Sequence, residues 1–149
     1  MKYILLFIIS FNTWSSDCQH TDTKFKCVEY VDNYDGDTIQ VDIKGVHNLL
    51  GKRINVRLKG VDAPEIRTKS KCEKNKGRNA KKLVKSLLRK AKRIDLINIE
   101  RDKYFRILAD IIIDGKMLSG YLVKNNLAYE YHGGKRPKID WCKRLPASK

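Results

Sequence analysis

Three short segments of this chain carry side chains suited to handling a phosphate ester. The first is Asp35-Gly36-Asp37-Thr38, where a glycine permits a tight turn and two carboxylates stand close together. The second runs from Val56 to Glu65 and reads VRLKGVDAPE. Strand alternation sets Arg57 on the face opposite Val56 and Leu58, and the turn after Gly60 offers Asp62 and Glu65. The third is Arg101-Asp102-Lys103-Tyr104-Phe105-Arg106, a charged turn that delivers Arg106 to the start of a strand. Taken singly, each is ordinary: DG turns close hairpins, a proline stiffens a loop, and Arg beside Asp makes a surface ion pair. Taken together they meet the needs of one reaction. Hydrolysis of a phosphodiester requires neutralising the non-bridging oxygens, orienting a water in line and helping the leaving oxygen depart. A hard cation held by carboxylates and carbonyls serves the first need. Planar guanidinium groups add two parallel hydrogen bonds to a phosphate, and a remaining glutamate can orient or deprotonate water.

These segments must be positioned by regular elements, and the hydrophobic spacing indicates which. Residues 25–31 and 38–43 read as strands joined by the turn-forming run from Asp32 to Asp37. Residues 53–59 alternate charged or polar with apolar and give a third, half-buried strand. A helix follows over 73–91, with Ala80, Leu83, Val84, Leu87, Leu88 and Ala91 on one face. Its other face carries Lys81, Lys82, Lys85, Arg89 and Lys90, read first as a solvated face. Residues 92–99 and 106–113 supply two more strands. A short helix over 116–125 turns Met117, Leu118, Tyr121 and Leu122 inward. Three strands, a helix, two strands and a helix is the order of a five-stranded OB-type barrel, a β-rich α+β fold whose open face commonly binds oligonucleotides.

The chain has 149 residues, with 32 Lys and Arg against 17 Asp and Glu, a net charge of +15. That length supports one domain with one core, and no repeat or low-complexity tract divides it. The charge points to a polyanionic partner, since neutralising phosphates releases counterions and steers encounter. A membrane-active cationic protein fits less well, because the one helix with both an apolar and a basic face has a core to serve.

Met1-Lys2, an apolar run from Tyr3 to Phe11 and then Ser15-Ser16 describe a secretory signal over 1–16, too short to span a bilayer. The mature domain is then 17–149, secreted or periplasmic, with no stable membrane insertion after processing. Nothing in it calls for assembly, so a monomer is expected. Export puts Cys18, Cys27, Cys72 and Cys142 in an oxidising compartment where disulfides form. Of three connectivities the expectation is Cys18 with Cys27, which are near in sequence, and Cys72 with Cys142, which ties the C-terminal tail to the body. Zinc is disfavoured, because there is no Cys-x-x-Cys and no histidine at ligand spacing; His20, His47 and His132 read as surface residues.

From Cys27 to Tyr131 the chain resembles the staphylococcal nuclease family. The DGDT turn, the VRLxGVDAPE segment and the RDKYxR segment occur in that family's order and spacing. The resemblance implies a calcium-dependent nuclease that cleaves DNA and RNA with little sequence preference and leaves 3′-phosphate ends. It implies that Asp37 and Asp62 hold Ca²⁺ through their carboxylates and Ala63 through its backbone carbonyl. Arg57 and Arg106 would grip the scissile phosphate, and Glu65 would be the general base or water-orienting group. Tyr104 would lie beside the nucleotide and Tyr131 near a base, while Tyr129 is expected to finish the core. Two departures stand out. Phe105 replaces the family's usual glycine before the second arginine, where glycine tolerates a positive φ. After Gly134 a tail pinned through Cys142 is expected in place of a C-terminal helix. The rival reading is a non-catalytic nucleic-acid-binding module on the same barrel.

Overall fold

The computed structural model describes residues 18–102 and 106–143. The expected signal segment, Tyr104 and Phe105 lie outside the described residues. Among these the elements run β1 (Lys24–Phe25), β2 (Glu29–Asn33), β3 (Thr38–Asp42), α1 (Asn48–Gly51), β4 (Ile54–Leu58), β5 (Val61–Asp62), α2 (Lys71–Lys90), β6 (Ile94–Arg101), β7 (Ile107–Ile113), β8 (Lys116–Met117), α3 (Leu118–Lys124) and β9 (Tyr129–Glu130).

The period-2 pattern of the central strands divides their side chains between core and site. In β3, Ile39 and Val41 are fully buried, and in β4 so are Val56 and Leu58, which leaves Arg57 on the opposite face. The strands pair in the order β1-β6-β7-β4-β3-β2, with β8 added to β7, while β5 and β9 form a separate two-stranded ribbon. The β4–β7 pair is parallel, and the other pairs are antiparallel. The expected five strands of an OB-type barrel are not seen as such: the described residues form a seven-stranded mixed sheet plus the ribbon, with no closed barrel among them. The sheet nonetheless curls strongly. Its two end strands, β1 and β2, are separated in the chain by only residues 26–28, where the Val28 amide donates to the Ile94 carbonyl at 2.9 Å.

Other corrections have local causes. The strand expected over 25–31 breaks at Cys27, whose φ of 55° lies outside the extended region and whose sulfur bonds Cys18. Met117 is 47% exposed because it precedes α3 as its cap, so only Leu118 and Leu122 enter the core fully and Tyr121 in part. Helix α2 starts two residues before the expected 73. Ser70 caps it by accepting from the Glu73 amide at 3.3 Å, a hydroxyl serving one of the orphan donors of the first turn. Its buried stripe is Gly77, Ala80, Val84 and Leu88. Both expected disulfides are present, Cys18–Cys27 and Cys72–Cys142, with Cα atoms 5.4 and 5.3 Å apart. The second ties the tail to the first turn of α2. No helix follows Gly134 among the described residues.

Close packing of α2 on the Asp35–Asp37 turn explains Gly36. A Cβ there would lie 2.6 Å from the Ala80 Cβ and 2.9 Å from the Ala63 Cβ. Gly36→Ala is therefore expected to destabilise the protein by about 1 to 3 kcal/mol through overpacking. That loss exceeds the ~0.4 to 1 kcal/mol gained from a stiffer unfolded chain. Urea unfolding of the two proteins measures it, and an alanine variant as stable as the parent would refute this account of the turn.

Candidate active site

Antiparallel pairing of β3 with β4 sets Thr38 opposite Arg57 and so brings Asp37, one residue earlier, to the arginine. The Leu58 amide fixes the other side of the turn by donating to the Asp37 carbonyl at 2.8 Å. Asp35 shapes the same turn, its Oδ1 accepting the amides of Asp37 at 3.0 Å and Thr38 at 2.8 Å. Beyond Gly60 the chain doubles into β5, where Asp62 is paired in register with Tyr129 of β9.

The result is a compact charged cluster. Arg57 pairs through Nη1 with Asp37 Oδ1 and through Nη2 with Asp62 Oδ1, so one guanidinium spans two buried carboxylates. Their side chains are 3% and 9% exposed and that of Arg57 13%, which places the bridge largely out of water. The remaining carboxylate oxygens have partners as well. Asp37 Oδ2 accepts the Ala63 amide at 2.6 Å, and Asp62 Oδ2 accepts the Tyr129 hydroxyl at 2.8 Å. Burial pushes the Asp37 carboxyl up to about 7 against the pull of Arg57, and Asp35 adds to the rise. Burial opposes the charge of Arg57 too, but Asp37 and Asp62 more than offset it and hold the guanidinium above its ordinary range. Burial and the bond to Asp62 push the Tyr129 hydroxyl up.

Of the residues singled out from the sequence, Asp37, Arg57, Asp62 and Ala63 are therefore bonded to one another. Glu65 stands at the exposed rim and joins the cluster through Arg136, whose Nη2 is 3.1 Å from Asp62 Oδ1 and whose Nη1 is 3.6 Å from Glu65 Oε1. Arg106 immediately precedes Ile107 of β7. Because Leu108 pairs with Arg57, a residue two positions before it lies on the Arg57 face of the sheet. Its described ion pair is with Asp102, Nη2 to Oδ2 at 2.6 Å. Tyr131 sits two residues beyond Tyr129 with ring centroids 6.3 Å apart, and its hydroxyl donates to the Gly134 carbonyl at 2.7 Å.

Two participants escaped the sequence reading. Tyr129 does more than finish the core, since its ring leans on Trp141 at 6.0 Å while its hydroxyl holds Asp62. Arg136 is the second, a residue that no motif in the sequence singles out. The available signal was Cys142: a tail bonded to Cys72, seven residues beyond Glu65, must run past that glutamate.

The donors suit a hard divalent cation, because Asp37 and Asp62 present carboxylate oxygens beside the Ala63 backbone. Among the described residues no group of three or more acidic, histidine or cysteine side chains forms a metal cluster. A cation here would thus need carbonyl and water oxygens besides the two aspartates.

Comparison with known proteins finds a family and relatives that this chain resembles. A family described as Staphylococcal nuclease homologue matches residues 55–144. Endonuclease YncB of Bacillus subtilis (strain 168) is 37% identical over 100 residues, covering 63% of this chain and 43% of the relative. The SPbeta prophage-derived endonuclease YokF of the same organism is 34% identical over 100 residues, covering 63% of this chain and 30% of the relative. The chain spans less than half the length of these curated relatives.

Proposed function

The chain belongs to the family of staphylococcal nuclease homologues, and from that premise we propose that it is a calcium-dependent nuclease hydrolysing phosphodiester bonds in DNA and RNA. The observation that carries the reading is the single guanidinium of Arg57 spanning the buried Asp37 and Asp62, with Glu65 at the rim. Asp37 and Asp62, with the Ala63 carbonyl, would hold Ca²⁺, which when bound supplies charge neutralisation for the phosphate oxygens. Arg57 is already held at the site by its two carboxylates, so little side-chain entropy is lost when it exchanges part of that pairing for a phosphate. Arg106, on the same sheet face, supplies a second planar donor pair. Glu65 is exposed and free of β-structure, so its carboxylate can orient a water and take its proton.

Departure of the 5′-oxygen leaves a 3′-phosphate, which is the product polarity we assign. Little sequence preference follows from a site whose polar groups address phosphate rather than base edges. Tyr131 flanks the cluster and offers a ring to a base. Two disulfides and the signal-like N-terminus support export, to the periplasm or medium.

A plasmid-degradation assay tests the reading. With Ca²⁺ the plasmid is cut, and excess chelator slows cutting on the order of a hundredfold or more, as several kcal/mol of transition-state stabilisation are lost. Binding with no cutting in Ca²⁺ would instead favour the rival, a non-catalytic binding module.

A further inference from the structure

Beside the cluster lies a groove of about 610 Å³ lined by Tyr34, Asp35, Glu65, Arg67, Arg78 and Lys81. Glu65 belongs both to this groove and to the charged cluster, so the two are continuous. Three cations and one aromatic face it. Arg67 and Arg78 are exposed, and among the described residues neither makes an ion pair. Lys81 acts on Asp32 only at a distance. The opposing acids are partly committed: Asp35 caps two backbone amides, and Glu65 faces Arg136. Tyr34 is 62% exposed, a large aromatic left in water at the tip of the β2–β3 turn.

Helix geometry separates these cations from the rest of the basic stripe on α2. Arg78 and Lys81 are three residues apart and share a face. Lys85 is spent on Asp32 at 3.2 Å, and Arg89 lines a different cavity. The solvated face expected from the sequence is thus divided, and one end of it overlooks the site.

We propose that this groove is a binding subsite for the single-stranded segment of substrate that flanks the cleaved bond on the Glu65 side. Arg67, Arg78 and Lys81 contact successive phosphates of that strand, and Tyr34 stacks on one of its bases. Uncommitted cations in a concave surface attract a polyanion, and an exposed ring accepts any unpaired base without reading its sequence. A stacking ring at the entrance also selects against paired bases, so the groove confers a preference for single strands. This inference rests on the nuclease reading for the orientation of the strand.

Oligonucleotide binding by fluorescence anisotropy in excess chelator, where no cutting occurs, tests it across a range of salt concentrations. The probes are labelled thymidine oligomers of two and of about ten nucleotides. For the combined variant Arg67→Ala, Arg78→Ala and Lys81→Ala, the slope of log affinity against log salt for the longer probe falls by about 2. Dinucleotide binding stays within about twofold. Tyr34→Ala weakens the longer probe about tenfold while Tyr34→Phe does not. Lys44→Ala, which removes a cation paired with Glu29 outside the groove, leaves the tyrosine effect and the length dependence unchanged. Equal losses for both probe lengths, or a triple variant with the parent's slope, would overturn the subsite. Plasmid cutting by the parent is scored separately. A parent that cuts while the triple variant binds normally refutes the groove alone, and a parent that binds but never cuts refutes the nuclease reading alone.

Discussion

Arg57→Ala is expected to damage stability and activity together. The substitution leaves Asp37 and Asp62 facing one another in a site where their side chains are 3% and 9% exposed, with the bridging cation gone. Removing one partner of a buried ion pair costs about 3 to 5 kcal/mol, because the two carboxylates left out of water keep only the Ala63 amide, the Tyr129 hydroxyl and the outlying Arg136 as partners. Part of that loss is relieved by protonation, since the Asp37 carboxyl already sits near neutrality. Cleavage is expected to fall on the order of 10² to 10³-fold besides, which follows from the proposed role of Arg57 as a donor to developing phosphate charge. Arg57→Lys retains a positive charge but cannot present two parallel donor edges, so it recovers stability better than activity. Urea unfolding and plasmid cutting, measured on the same preparations, give both quantities. An alanine variant within about 1 kcal/mol of the parent that still cuts would show that the bridge is ornamental.

Glu65→Gln separates chemistry from structure in the opposite way. The Glu65 side chain is 55% exposed, and its described charge contact is a 3.6 Å pairing with Arg136, so unfolding should shift by less than about 0.5 kcal/mol. The amide is nearly isosteric and can still accept a hydrogen bond from water, but it cannot take a proton. Turnover is therefore expected to drop by about 10² to 10⁴-fold, the usual range for loss of a positioned base. Oligonucleotide affinity in chelator should stay the same or tighten slightly, since the substitution removes a negative charge that would repel a polyanion. Single-turnover cleavage with affinity measured alongside resolves the two, and a glutamine variant as fast as the parent would remove Glu65 from the mechanism.

The two substitutions differ because Arg57 and Glu65, both within ten residues of sequence, occupy different dielectric environments. Arg57 points inward from a central strand and is clamped by two carboxylates. Glu65 follows Pro64 in a loop at the rim, where water reaches it. Arg136 bridges the two zones. Its Nη2 pairs with the buried Asp62 and its Nη1 with the exposed Glu65.

Much of this was legible in the chain because it depends on near neighbours. Alternation in Ile54–Leu58 places Arg57 opposite Val56 and Leu58 whatever surrounds the strand, and the 3.6-residue stripe of α2 marks its buried face in the same way. The pairing of the four cysteines was also anticipated, from one pair being local and the other closing the tail. The Asp35–Asp37 turn announced itself through residues that bond their own backbone.

Tertiary structure decided what depends on distant partners. The strand expected over 25–31 is cut by the conformation of Cys27, because one run of residues serves two different strands of a curled sheet. The β5–β9 ribbon joins two-residue strands too short to leave a periodic trace, yet it brings Tyr129 to Asp62. Arg136 reaches the cluster because a disulfide and the buried ring of Trp141 hold the tail across it. Sequence alone determined which groups are present and which face of its own element each one takes. Which groups meet, which are stripped of water, and which cations stay uncommitted were decided only by packing, since charge and burial at a site are sums over neighbours that the chain brings in from far along its length.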